Sequence, residues 1–294
     1  MPKENTHLWF ARRLREGMPA SEEGCLVGKI VRDEPLLFSL GAIIPDAFFY
    51  HPRSRGRRLA GIFHGSDPTM RDDIFSRAVH QSGDDPTGRS KAFVLGYLSH
   101  VALDQAMHPV VNALSGKRPG QASTRASIAL HRLVETALDQ QINPSCRYPR
   151  IIRPELGRRV DVLHRLASEA GLRPGDIHAA LRNQFVVNQM VQGRIAHALL
   201  GMLHYPSVLD LSVLLNLSYA QLARESGFLR TALTDTKQDE RAQFWTGYHA
   251  VNWMRLTLRA EQRALDLFRL CTAYWDGQIG QSELQQGLPR KPCN

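Results

Sequence analysis

The sequence predicts an all-α protein, and three observations predict it. Apolar residues recur at three- and four-residue steps along most of the 294-residue chain. Alternating stretches of the kind half-buried strands need are scarce, and proline and glycine fall at the ends of the periodic segments. The elements follow in order. Asn5 or Thr6 caps a first helix that runs through Glu16, with Gly17 ending it. Ser21 and Glu23 open a second over 21–32. Pro35 starts a third through LLFSLGAII, which Pro45 stops. Residues 51–61, HPRSRGRRLAG, read as a basic loop, followed by a helix over 69–82 and the turn-rich SGDDPTGRS.

Residues 92–114 form a long, strongly apolar helical stretch, and another helix covers 124–141. NPSCRYPRIIRP, with its clustered prolines, is the clearest break in the chain. It separates a helical core over 1–142 from a helical C-terminal half over 155–294, packed as part of the same unit. Helices are expected there at 155–171, 175–204, 207–233 and 239–276, and QSELQQGLPRKPCN reads as a frayed end.

Composition narrows the function classes. Hydrophobic content of 43% and charged content of 22% are those of a globular protein, which excludes disordered and fibrous classes. No apolar run reaches the roughly 20 residues of a membrane span. The start, MPKENTHLWFARRLREG, has no signal-peptide pattern, so a cytoplasmic protein is expected. The net charge of +9 is spread evenly along the chain and gives no specific nucleic-acid signal. Cys25, Cys146, Cys271 and Cys293 form no CxxC pair, which argues against a thiolate zinc site.

The chemistry lies in histidine spacing. GYLSHVALDQAMHP puts His100, Asp104 and His108 at i, i+4 and i+8, on one helical face. Two imidazoles and a carboxylate are costly to bury without partners, yet Val94, Leu95, Leu98, Val101, Ala102 and Leu103 mark a buried helix. A divalent metal satisfies such a stripe. LHRLVET adds His131 and Glu135, again at i, i+4. Five groups exceed what one catalytic zinc with an open position needs, so two ions is the simpler count. Upstream, Asp46 follows Pro45 in an apolar context, His64 stands alone in GIFHG, and His7 lies in the first helix.

As an ordered set, His7, Pro45-Asp46, His64, His100-x3-Asp104, His108 and His131-x3-Glu135 resemble the bacterial zinc-dependent phospholipase C family, a fold relative of the S1/P1 nucleases. The resemblance covers residues 1–135. It implies a multi-helix bundle of that type with a helical C-terminal extension, holding two or three zinc ions. It implies that His64, His100 and Asp104 hold one ion and His108, His131 and Glu135 a second, with Asp46 bridging toward a third ion held by His7. It further implies hydrolysis of a phospholipid-type phosphodiester by metal-activated water, with Asp46 as general base or orienting group. The substrate is then a phospholipid or small phosphate ester, and peripheral contact with a membrane surface belongs to the same reading. A 3′-nucleotidase or nuclease on the same scaffold, and a metal-binding scaffold without turnover, are the alternatives. The family's third site uses an N-terminal Trp; this sequence begins Met1-Pro2-Lys3, and His7 precedes Trp9. Arg53 and Arg55, between Asp46 and His64, are placed to guide a phosphate, although charge runs are more often solvated loops.

Overall fold

A computed structural model describes residues 4–18, 26–51, 54–64, 74–117, 124–142, 153–191, 194–204, 211, 215–217 and 235–289. Among these residues the regular structure is entirely helical. The first half contains α1 (Glu4–Gly17), α2 (Leu26–Asp33), α3 (Pro35–Gly41), α4 (Ile44–Ala47), α5 (Ser54–Phe63), α6 (Ile74–Gly83), α7 (Arg89–Leu114) and α8 (Arg125–Ile142). The second half contains α9 (Asp161–Glu169), α10 (Pro174–Val191), α11 (Arg194–Leu203), α12 (Asp235–Ala250), α13 (Trp253–Trp275) and α14 (Gln281–Gly287). Short 3₁₀ turns lie at Phe48–Tyr50 and Pro154–Arg159.

Helix α7 is the axis of the bundle. Phe93, Val94, Leu95, Tyr97, Leu98, Val101 and Leu103 are all fully buried, so it is apolar around its circumference instead of along one stripe. Helices α1, α2, α3, α6, α8 and α13 pack around it. One buried apolar cluster runs from Leu8 to Leu288, with Phe38 of α3 meeting Phe268 of α13 edge-on at 6.1 Å.

Helices α3 and α7 cross closely, and glycine makes it possible. A Cβ on Gly41 would stand 2.0 Å from the Phe93 carbonyl oxygen, and one on Gly96 would stand 1.9 Å from that of Phe38. Each helix thus offers its glycine to the other's backbone. This crossing sets Gly96, one turn before His100, directly against the segment that leads to Asp46.

Several sequence expectations need correction. Residues 51–61 are largely helical: α5 begins at Ser54, and Leu59, Ala60, Ile62 and Phe63 are buried. The arginines masked an apolar stripe at helical spacing. Pro45 does not stop a helix but sits in the first turn of α4, where its missing N–H costs nothing. The expected 155–171 helix is a 3₁₀ turn followed by α9, parted at the extended Val160. The 239–276 helix breaks at Val251, and the Asn252 side chain caps α13 by accepting from the Arg255 N–H. The frayed C-terminus contains α14, whose first turn is closed by Glu283 accepting from the Gly280 N–H. The 175–204 helix is described as α10 and α11, and most of 207–233 lies outside the described residues.

Replacing Gly96 with Ala should lower stability by about 1–3 kcal/mol or more, because the methyl group meets backbone that cannot swing aside. Gly175→Ala, where nothing lies within 4 Å of the added carbon, is the control and should be near neutral. Denaturant unfolding of both variants checks the pair.

Candidate metal centre

Four helices and one turn deliver the eight side chains. His7 comes from α1, Asp46 from α4, and His64 from the residue after α5. His100, Asp104 and His108 come from α7, and His131 and Glu135 from α8. All are buried except His131, which is half-buried.

The inner group is His64, His100 and Asp104. Nδ1 of His64 is 2.6 Å from the Ala60 carbonyl, and Nδ1 of His100 is 2.9 Å from the Ala42 carbonyl. A carbonyl oxygen only accepts, so each Nδ1 carries a proton and each ring turns its Nε2 inward. These two Nε2 atoms face one another at 3.3 Å. A cation between them, a proton or a metal ion, would satisfy both. Asp104 Oδ2 stands 3.2 Å from His100 Nε2 and 3.8 Å from His64 Nε2. Zinc bonds of about 2.0–2.2 Å place tetrahedral donors roughly 3.3–3.6 Å apart, so the spacing of this triad fits the ion.

His7 joins from the side. Its ring stacks on His100 at 3.9 Å, and its Nε2 lies 3.3 Å from Asp104 Oδ1. Asp46 Oδ1 is 3.2 Å from His64 Nε2. Ligand atoms of His7, Asp46 and His100 fall within 4.8 Å of one another, as do those of His64, His100 and Asp104, and those of His108, His131 and Glu135. In the last group His131 Nε2 is 3.0 Å from Glu135 Oε1. Asp104 Oδ2 stands 3.8 Å from His108 Nδ1 and so links the inner and outer groups. Both ring nitrogens of His7, Oδ1 of Asp46 and both oxygens of Asp104 are buried without a well-formed hydrogen bond among the described residues. Groups this polar and this dry need a ligand.

The electrostatics follow from that crowding. Burial pushes the Asp104 carboxyl up, but His108 and His100 outweigh it and hold it well below the usual carboxylate range. Asp46 is likewise held low, by His100 and His64 against burial. Burial, helped by the neighbouring His100, lowers His7, and burial also lowers His131. His100 moves the other way: Asp104 raises it against burial. The carboxylates are therefore ionised and His7 and His131 are held toward the neutral form, which is the protonation state metal ligation requires.

Spacing alone left other site-shaping residues unread. Asp139 continues the His131/Glu135 stripe by one more turn, yet it joins no ligand group. It accepts from both the backbone N–H and the hydroxyl of Thr6, pinning the start of α1 beside His7. Arg132 donates to Glu135 Oε2 at 2.9 Å, leaving Oε1 turned toward His131. Glu4 accepts from the Tyr50 hydroxyl at 2.7 Å and from Gln184 Nε2 at 3.2 Å. A buried carboxyl group in the first turn of α1 gave no pattern to find. Arg53 lies outside the described residues; Arg55 lies on α5, with its side chain outside them. His51 faces Asp176 at 3.3 Å, and exposed His80 meets the Tyr274 hydroxyl at 2.6 Å, so neither joins the cluster.

A family model described as zinc dependent phospholipase C matches residues 6–167, more than half of the chain. No curated protein matches the chain, and no solved structure matches it.

In metal-free protein, stability should fall as pH drops from 7 toward 5. Folding lowers the proton affinity of His7 and His131 below the unfolded value of about 6.5, so the unfolded state binds more protons in this range. The opposing share from His100, whose folded affinity for a proton is raised, is present below that pH and lost above it. His131→Gln should flatten the decline, as measured by denaturant unfolding across this range with chelator present.

Proposed function

The chain belongs to the zinc-dependent phospholipase C family, which makes it a zinc-dependent phosphoesterase in the broad sense, and we propose that it hydrolyses the phosphodiester of a phospholipid. The observation that carries the reading is the triad of His64 Nε2, His100 Nε2 and Asp104 Oδ2, spaced 3.2–3.8 Å apart with both imidazole Nδ1 atoms tied to carbonyls. His64, His100 and Asp104 hold one zinc in this reading. His108, His131 and Glu135 hold a second, and His7 with Asp46 serves a third. When bound, zinc supplies a water of lowered pKa and neutralises charge on the phosphoryl oxygens.

The chain's own residues do the rest. Asp46 is more open to solvent than Asp104, its side chain 7% exposed against 0%. It is ionised, so it accepts the proton as water attacks phosphorus and can return it to the alkoxide as the ester P–O bond breaks. The Ala42 and Ala60 carbonyls keep His100 and His64 in a single tautomer. Arg132 holds Glu135 in register. Arg53 and Arg55, by their position between Asp46 and His64, are assigned to the phosphate of the incoming substrate. The even charge distribution gives the nucleotidase alternative no comparable support.

Phosphatidylcholine, a 3′-nucleoside monophosphate and single-stranded DNA, each assayed with and without chelator, test the reading. Release of diacylglycerol that chelator abolishes and zinc restores is expected; turnover of the nucleotide alone would replace the lipid assignment. Asp46→Asn should cut turnover about 10²–10⁴-fold, while zinc held by His108, His131 and Glu135 stays bound.

A further inference from the structure

Beyond the metal cluster, the second half of the chain presents an apolar face to solvent. On α10, Arg182, Val186 and Met190 stand at i, i+4 and i+8, and all three are exposed. On α11, Ile195, Leu199 and Met202 stand at i, i+4 and i+7, with Ile195 78% and Met202 70% exposed, and Leu203 beside them is also exposed. Scattered single exposed hydrophobics are ordinary, whereas a run of large ones along two consecutive helices marks an interaction surface.

Two further observations identify what covers it. The sequence from Ile177 to Leu209 contains no Asp or Glu, yet it carries Arg182 and Arg194. A stretch that is apolar and basic, without a single acid, is complementary to an anionic interface. The face is also fixed to the cluster. Asn183 Nδ2 donates to the Tyr50 carbonyl at 3.0 Å, four residues beyond Asp46, and Gln184 Nε2 donates to Glu4, three residues before His7. Among the described residues no helix is long and apolar enough to cross a membrane.

We propose that the α10–α11 face docks the protein on an anionic phospholipid surface, setting the metal cluster at a fixed offset from its substrate. The inference rests on the phospholipid reading above. Val186, Met190, Ile195, Leu199 and Met202 enter the interfacial zone, and Arg182 meets headgroup phosphate.

Vesicle flotation with chelator present reads docking separately from hydrolysis. The zinc-free protein should float with phosphatidylcholine–phosphatidylglycerol vesicles more strongly than with phosphatidylcholine alone. Ile195→Glu combined with Met202→Glu should lower the bound fraction about tenfold or more, with the unfolding temperature unchanged. The milder Ile195→Ser should lower it less and in the same direction. Wild-type protein that fails to float, or a double variant that floats like wild type, overturns the proposal. A wild-type dimer that the double variant converts to monomer also overturns it, since the face then belongs to a second copy. Failure of both variants to fold does so too, because the face is then packed against the chain itself. Flotation without lipid hydrolysis in the zinc-loaded protein would contradict the phospholipase reading and leave the docking surface standing.

Discussion

The site depends on a close crossing of two helices. With Gly41 against the Phe93 carbonyl and Gly96 against that of Phe38, α3 and α7 cross with no room for a Cβ at either position. That approach brings the Ala42 carbonyl to His100 Nδ1, and the chain turns immediately into α4, which carries Asp46. A wider crossing would break the hydrogen bond that fixes the His100 tautomer and would draw Asp46 away from His64. The glycines therefore act on the chemistry through geometry, although neither touches a proposed ligand atom.

The second constraint is a conflict within α7. The helix is apolar on every side because it is the axis of the bundle, yet it carries His100, Asp104 and His108 through the same interior. Buried polar groups destabilise a fold unless they are satisfied, and here the satisfying partners are largely one another. His7 stacks on His100, Asp104 faces four imidazoles, and the two facing Nε2 atoms leave room for a cation. A core that tolerates such a cluster without a ligand would be an exception, whereas a core completed by a bound ion is consistent at every level.

Much of this was legible in the sequence, for identifiable reasons. The i, i+4, i+8 stripe on α7 and the i, i+4 pair on α8 depend only on helical periodicity, so the faces follow once the helices are recognised. The all-helical class followed from the same periodicity, and the family match agrees with the family that the ordered set resembles. Other features were hidden. Helix α5 was obscured because arginines interrupt its apolar stripe, and Pro45 reads equally well as a stop or a start until its neighbours are placed. The 3₁₀ turn at Pro154–Arg159 and the break at Val251 depend on tertiary packing and on one capping side chain, which no local propensity announces. Asp139 and Glu4 were unread because their partners, Thr6 and Tyr50, are 133 and 46 residues away.

The central claim is that these nitrogen and oxygen donors form a shared zinc centre, and elemental analysis of zinc per chain tests it most directly. His100 belongs to two of the three ligand groups, whereas His131 belongs to one. The wild-type chain should carry more than one zinc. His100→Ala should lose more of it than His131→Ala, with the helical fold retained. A wild-type chain purified without zinc that takes up none on titration, or a His100→Ala chain with an undiminished count, would contradict the account.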